Sequence, residues 1–343
     1  MGTLATLAAA AAVTLAGVQP QLATIGDQLY LAFGRGDTVH VARSSDGGLS
    51  FGAPVVLPIT GEVSLGMRRG PRVVVTNTAV LVAAVSGAQG GGKDGDVVLT
   101  RSIDRGRTWS QPVVINDVPG AAREGLHALA AQPNGLVVAA WLDLREKGTR
   151  IYAAVSRDHG ATWRADTLVY ASPSGSVCEC CHPSIAIGAA GDVSVMFRNS
   201  VDGKRDMYVV RSADGLTFGP AARLGVGSWT LNACPMDGGG LVVGPAGELT
   251  AVWRREGTVF LSTPTSREQR IGDGRDAVVG LSGAHRDIAW SADAGVTLLR
   301  DGRIQVLGAG RFPSLVSSPD RSVVAWEHQG HVRVQVVPRA EQR

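Results

Sequence analysis

The chain is poor in charge and in aromatic residues. Of its 343 residues, 18% are Asp, Glu, Lys or Arg and 5% are Phe, Trp or Tyr, and the net charge is +3. Lys and Arg stand mostly alone, with no basic stripe to track a phosphate backbone, which excludes a nucleic-acid binder. Long apolar runs are scarce as well. The best, Leu4 to Val18, is too short to cross a bilayer and has the length of a signal-peptide core, although no basic residue precedes it. It predicts a leader over 1–17, a secreted or periplasmic location, and a protein that is not integral to a membrane. Helical periodicity is missing too. No linker rich in Pro, Gly or Ser divides the chain, so residues 18–338 read as one domain and 339–343 as a short tail.

What is present is repetition. The turn at Ser44, Asp46, Gly48 and Phe51 returns at Ser102, Asp104, Gly106 and Trp109, at Ser156, Asp158, Gly160 and Trp163, and in shorter form at Ser212, Asp214, Gly215 and Phe218. Its aspartates recur every 54 to 58 residues (46, 104, 158, 214), the span of one four-stranded propeller blade with its loops. The local chemistry is that of a staple. The carboxylate accepts backbone N–H groups, Gly takes a positive φ, and the aromatic residue plugs the space between sheets. Between these turns run alternating strands such as Gln21 to Phe33, His127 to Trp141 and Pro313 to Trp326. The expected fold is all-β, a β-propeller of four-stranded blades, seven by count of units (18–60, 67–116, 124–172, 180–226, 232–273, 283–309, 311–338), with six as the alternative.

The turns resemble the Asp box, S-x-D-x-G-x-T-W, of the sialidase superfamily, and the two middle copies match every fixed position. That resemblance makes Asp46, Asp104, Asp158 and Asp214 structural and puts them on the face away from the active site. It also implies an Arg-x-Pro at the first catalytic blade, met by Arg69-Gly70-Pro71. The rest of the sialidase catalytic set fails: Asn232-Ala233 stands where an Asn-Glu pair is expected, and His285-Arg286-Asp287 stands where the Tyr strand begins. Without nucleophile and activating carboxylate, sialic-acid hydrolysis is the inherited reading and not the favoured one. Weak catalytic candidates are Arg69, Asp96, Arg286 and Asp287, and Arg69, Arg254 and Arg286 are candidates for binding an anionic ligand.

In a propeller the first strand of every blade lines the central channel, so residues at those strand starts converge on one mouth. That logic gathers all four cysteines and three of the seven histidines: Cys178, Cys180, Cys181, His182 and Cys234, with His127 and His285 across the opening. His159, inside a box, reads as solvated. Thiolate and imidazole together suit a transition metal, copper before zinc. The alternatives are disulfide staples, with or without a redox role, and unpaired structural thiols; three cysteines within four residues make two full bridges awkward. Three functions follow as expectations: an exported propeller holding a metal for redox or storage, a glycoside hydrolase similar to exo-alpha-sialidases, or a non-catalytic module binding a glycan or protein. In each, a small molecule or glycan would sit at the channel mouth.

Overall fold

A computed structural model describes residues 12–283 and 285–339. These residues form seven antiparallel sheets arranged as blades around an axis, six of four strands and the second of five, its extra strand being the short Glu62–Val63 against Val80–Gly87. The innermost strands are Val18–Ile25, Arg72–Val75, His127–Ala131, Ser184–Ile187, Gly240–Val243, Arg275–Ser282 and Arg311–Ser317. Each touches the next, and the last touches the first, so the ring is closed. In blades 1 to 6 the chain runs outward strand by strand. Blade 7 is completed from the other end of the sequence, where Val13–Ala16 pairs with His331–Pro338, Val13 opposite Val334 and Ala16 opposite His331.

The count of seven expected from the sequence is therefore found, with two boundaries moved. Blade 6 begins at Arg275 rather than residue 283, and His285–Ala292 is its second strand. A single residue, Gly274, separates it from blade 5, and a bulge near its start hides the alternation. The ring also reaches back to Val13, into the expected leader, while residues 1–11 of that leader and 340–343 of the tail lie outside the described residues. Arg339 is no free tail: it donates two bonds to Asp287, at 2.9 and 2.7 Å.

The core lies between blades. Seven apolar clusters fill the seven interfaces, from Leu31, Phe33, Val323 and Val334 between blades 7 and 1 to Val324, Trp326 and Leu298 between blades 6 and 7. The second strands Val80–Gly87 and Val137–Asp143 are buried almost throughout, which explains their unbroken apolar sequence. Each fully buried Leu or Val contributes roughly 1.5–3 kcal/mol, so closure spreads stability evenly round the ring.

The first strand of a blade runs away from the upper mouth, so the turn after the third strand falls on the lower face. All four Asp boxes are there. Asp158 accepts Ser156 Oγ at 2.8 Å, Thr162 N at 2.9 Å and Thr162 Oγ1 at 2.6 Å, and Asp104 repeats the pattern with Ser102 and Thr108. The box aromatics plug interfaces as expected, Trp109 between blades 1 and 2 and Trp163 between blades 2 and 3. Neighbouring boxes are also tied, Arg43 to Arg105 O at 3.2 Å and Arg157 to Asp214 O at 2.9 Å. His159 is not simply solvated: its Nδ1 meets Thr76 Oγ1 of blade 2 at 2.9 Å. Blades 5 and 6 need no box, because their outer strands Ser266–Asp273 and Arg303–Gly308 are long and joined by tight turns, Arg300 pairing with Arg303.

Candidate functional site

Three thiols meet where blade 4 begins. A loop enters blade 4 through the bond from Cys178 N to Arg198 O (3.0 Å), then turns so that Cys181 N faces Cys178 O. The turn folds the side chains of Cys178, Cys180 and Cys181 onto one another: their Sγ atoms lie within 4.8 Å of one another, with Cys178 to Cys181 at 3.3 Å and Cys178 to Cys180 at 3.7 Å. No sulfur is bridged, and all four cysteines are free. Cys178 and Cys181 are buried, while Cys180 is partly open to solvent.

The surroundings favour charge on Cys181. Burial opposes its ionisation, but hydrogen bonding from Cys178 and Cys180, the Arg198 guanidinium and the Asp237 amide outweigh it and hold this thiol well below its ordinary value. Cys180, hydrogen-bonded to its two neighbours and desolvated, is pushed up instead. Arg198 is itself buried and spends its donors on carbonyls, Nε to Asp237 O at 3.0 Å, Nη1 to Arg205 O at 2.6 Å and Nη2 to Arg254 O at 2.8 Å. A guanidinium without a carboxylate partner is costly to bury, and a thiolate beside it is the natural counter-charge.

The other expected ligands stand apart from this trio. Cys234 is exposed in the loop before blade 5 and does not join the cluster. His182 is buried, with Nε2 placed 3.1 Å from Gly239 O and Nδ1 unpartnered. Gly238 must be glycine for this packing, since a Cβ there would sit 1.9 Å from His182 O. His127 is buried against Ala83 O at 3.3 Å. Burial, then the charge of Arg72, brings His127 down to about 3; burial, then Arg68 and Arg72, does the same to His182. His285 belongs to the other end of the molecule. As the first residue of a second strand it sits on the Asp-box face, exposed, with Asp301 at 3.2 Å.

The candidate arginines and aspartates are similarly dispersed. Arg69 bonds Glu124 O at 2.5 Å and pairs with its carboxylate at 3.6 Å. Arg254 lies over Trp229, 5.3 Å from the ring centre. Arg286 is exposed on the lower face, and Asp287 is fully buried in its pair with Arg339. Asp96 is a structural acceptor for Asn116 Nδ2 (2.7 Å) and Gly120 N (2.6 Å).

The axial channel is instead spanned by Arg68, which the sequence spacing did not single out. Arg68 reaches from the loop before blade 2 to Pro313 O at 3.1 Å and to Asp276 O, pairing with the Asp276 carboxylate at 3.7 Å. It thus links blade 2 with blades 6 and 7 across the mouth. Below it lie Arg72 and His182, lining a cavity of about 160 Å3. Burial, aided by Arg68, brings Arg72 down to about 10. Asp276 is shaped by a repeated device: Gln19, Asp276 and Phe312 all have φ of 55 to 58°, each in a bulge of the innermost strand two residues after a glycine. The recurring Gly17-Val-Gln19, Gly274-Arg-Asp276 and Gly310-Arg-Phe312 spacing was the available signal.

A family model for the BNR repeat-like domain matches residues 66–253. No curated protein matches the sequence. Among solved structures the chain is similar to an alpha-L-arabinanase of Penicillium chrysogenum complexed with arabinobiose, at 15% identity and TM-score 0.58, covering 95% of this chain and 98% of that one. An alpha-L-arabinofuranosidase of Fusarium graminearum complexed with arabinobiose matches at 12% and 0.57, over 94% and 93%. Virginiamycin B lyase from Staphylococcus aureus matches at 12% and 0.57, over 95% and 99%. At such identities the likeness is one of fold. With the boxes, the seven closed blades and a family match over more than half its length, the chain belongs to the BNR repeat-like family of sialidase-like propellers.

Proposed function

We propose that the protein is a soft-metal-binding propeller in which Cys178, Cys180 and Cys181 hold one thiophilic ion, copper(I) before zinc. The sulfur geometry carries this reading. Three thiolates bound at ~2.3 Å around one ion stand roughly 3.8–4.0 Å apart, close to the 3.3 and 3.7 Å separations of the thiols. A disulfide needs about 2.0 Å. The trio offers sulfur alone, which suits copper(I), whereas structural zinc asks for a fourth ligand. Cys234 stands outside the trio, and His182 has one ring nitrogen committed to Gly239. A partly open Cys180 gives the ion an entry path, as storage or redox use requires. Export belongs to the same reading, with any leader ending before Val13, since Val13–Ala16 is needed to complete blade 7.

Glycan binding is the second reading, supported by the arabinobiose complexes of two similar structures. Asp237 and Asp276 are buried, so neither is open to a sugar as the carboxylates of a glycosidase must be. Untagged, reduced protein titrated anaerobically with copper(I) against a competing chelator tests the metal. One equivalent per chain should resist the chelator. Cys178→Ser and Cys181→Ser should each weaken retention at least about 100-fold, beyond the range of outer-shell changes, and Cys234→Ser should leave it unchanged. Absence of retained metal, or dependence on Cys234 alone, contradicts the proposal.

A further inference from the structure

We propose that the axial channel binds a tetrahedral oxyanion of the phosphate class between Arg68, Arg72 and His182. The three side chains line one cavity of about 160 Å3, the liquid volume of roughly five waters at ~30 Å3 each. Five is also the number of non-hydrogen atoms in such an ion. Below them the walls turn apolar, through Leu129, Ile185, Leu241 and Val279.

Positive charge at the site exceeds negative, although Arg68 has the Asp276 carboxylate at 3.7 Å. Arg72 spends its bonds on the carbonyls of Arg68, Gly70 and Pro71, with no carboxylate partner among the described residues. Five arginines (68, 72, 198, 254, 275) surround two buried aspartates (237, 276), an excess that stays at two positive charges even with Cys181 ionised. Among the described residues, one buried polar atom of the lining, His182 Nδ1, has no partner. Arg68 Nε and Arg275 Nε instead face the Asp276 carboxylate, at 3.7 and 3.5 Å. Native interiors leave few polar groups unsatisfied, and one in a cavity wall marks a place for water or an ion. With its Nε2 proton directed at Gly239 O, His182 keeps Nδ1 as an acceptor. Hydrogen phosphate carries an O–H for that acceptor, and sulfate does not.

The test uses metal-free, reduced protein, so that no ion on the neighbouring thiols changes the charge at the site. Calorimetric titration at pH 7, with ionic strength fixed by chloride, compares inorganic phosphate, sulfate and phenyl phosphate. Saturable phosphate binding is expected, with sulfate at least about ten-fold weaker, the usual cost of one unmatched polar partner. Arg72→Gln should lose about ten-fold or more, while Arg270→Gln, which alters an exposed pair with Asp273 on the outer strand of blade 5, should bind as wild type. Tighter binding of phenyl phosphate identifies a phosphate monoester as the source; weaker binding identifies the free ion. Where Arg72→Gln does not fold, phosphorus NMR line broadening on wild-type protein, abolished by excess phosphate but not by excess sulfate, decides the matter. No saturable phosphate binding, or equal losses in the two arginine variants, overturns the proposal, and equal sulfate affinity overturns the role of His182.

Discussion

His127 shows how far position alone sets the state of a side chain. It sits at the start of an innermost strand, as expected, yet it is packed under Arg72 rather than open at the mouth. The sequence spacing shows which residues approach the axis, but not which of them are covered, because cover comes from another blade. The thiols were legible for a related reason: three cysteines within four residues stay together whatever the blade does, whereas Cys234 depended on a loop path that leads outward. The histidine carries a pH consequence. Its folded value of about 3 lies below the ordinary 6.5, so the neutral form stabilises the fold fully above pH 6.5, and that stability is lost as pH falls. Urea unfolding at pH 7 and pH 5 should show wild type losing about 2 kcal/mol that His127→Asn does not lose. An equal loss in both proteins would show that His127 is protonated in the fold.

At the scale of elements, the Asp boxes were readable because every part of their chemistry is local. Ser, Asp, Gly and Thr within seven residues make the turn, and the aromatic residue follows. The bulges of Gln19, Asp276 and Phe312 were missed because their effect is long-range: those of Asp276 and Phe312 aim backbone toward Arg68, 208 residues away from Asp276, and that of Gln19 meets Glu327, 308 residues away. Box carboxylates predict a second pH window. For Asp158, slight burial opposes ionisation, but the Thr162 hydroxyl and amide and the Ser156 hydroxyl bring it down to about 2 from 3.8. Its contribution is therefore present above pH 3.8 and lost as pH falls toward 2. Asp158→Ala should cost about 1–2 kcal/mol at neutral pH, the price of unmade hydrogen bonds, and the deficit should close by pH 2. Chemical denaturation across that range checks it, and a deficit unchanged at pH 2 would contradict the assignment.

The whole molecule is a ring, and rings fail at their closure. Blade 7 takes its outer strand from residues 13–16 and the rest from residues 311–338, so one short ladder joins the two ends of the chain. Repeat spacing announced the blades, while this splice was hidden inside a run that reads as a leader. A chain lacking residues 1–17 exposes the edge of His331–Pro338 and loses the contacts of Val13 and Leu15. Its thermal midpoint should fall roughly 5 °C or more below that of a chain lacking only residues 1–11. Equal midpoints for the two truncations would show that the splice carries no stability.

Ring closure also sets the site, since the thiols of blade 4 are held beside Arg198 and the Asp237 amide of the blade 5 entry loop. X-ray absorption at the copper edge of the copper(I)-loaded, reduced protein examines that arrangement at its centre. The thiol trio predicts two to three sulfur neighbours at about 2.2–2.3 Å and no nitrogen or oxygen shell of comparable weight. A first shell of nitrogen and oxygen, unchanged when Cys178 and Cys181 are replaced by Ser, would contradict it.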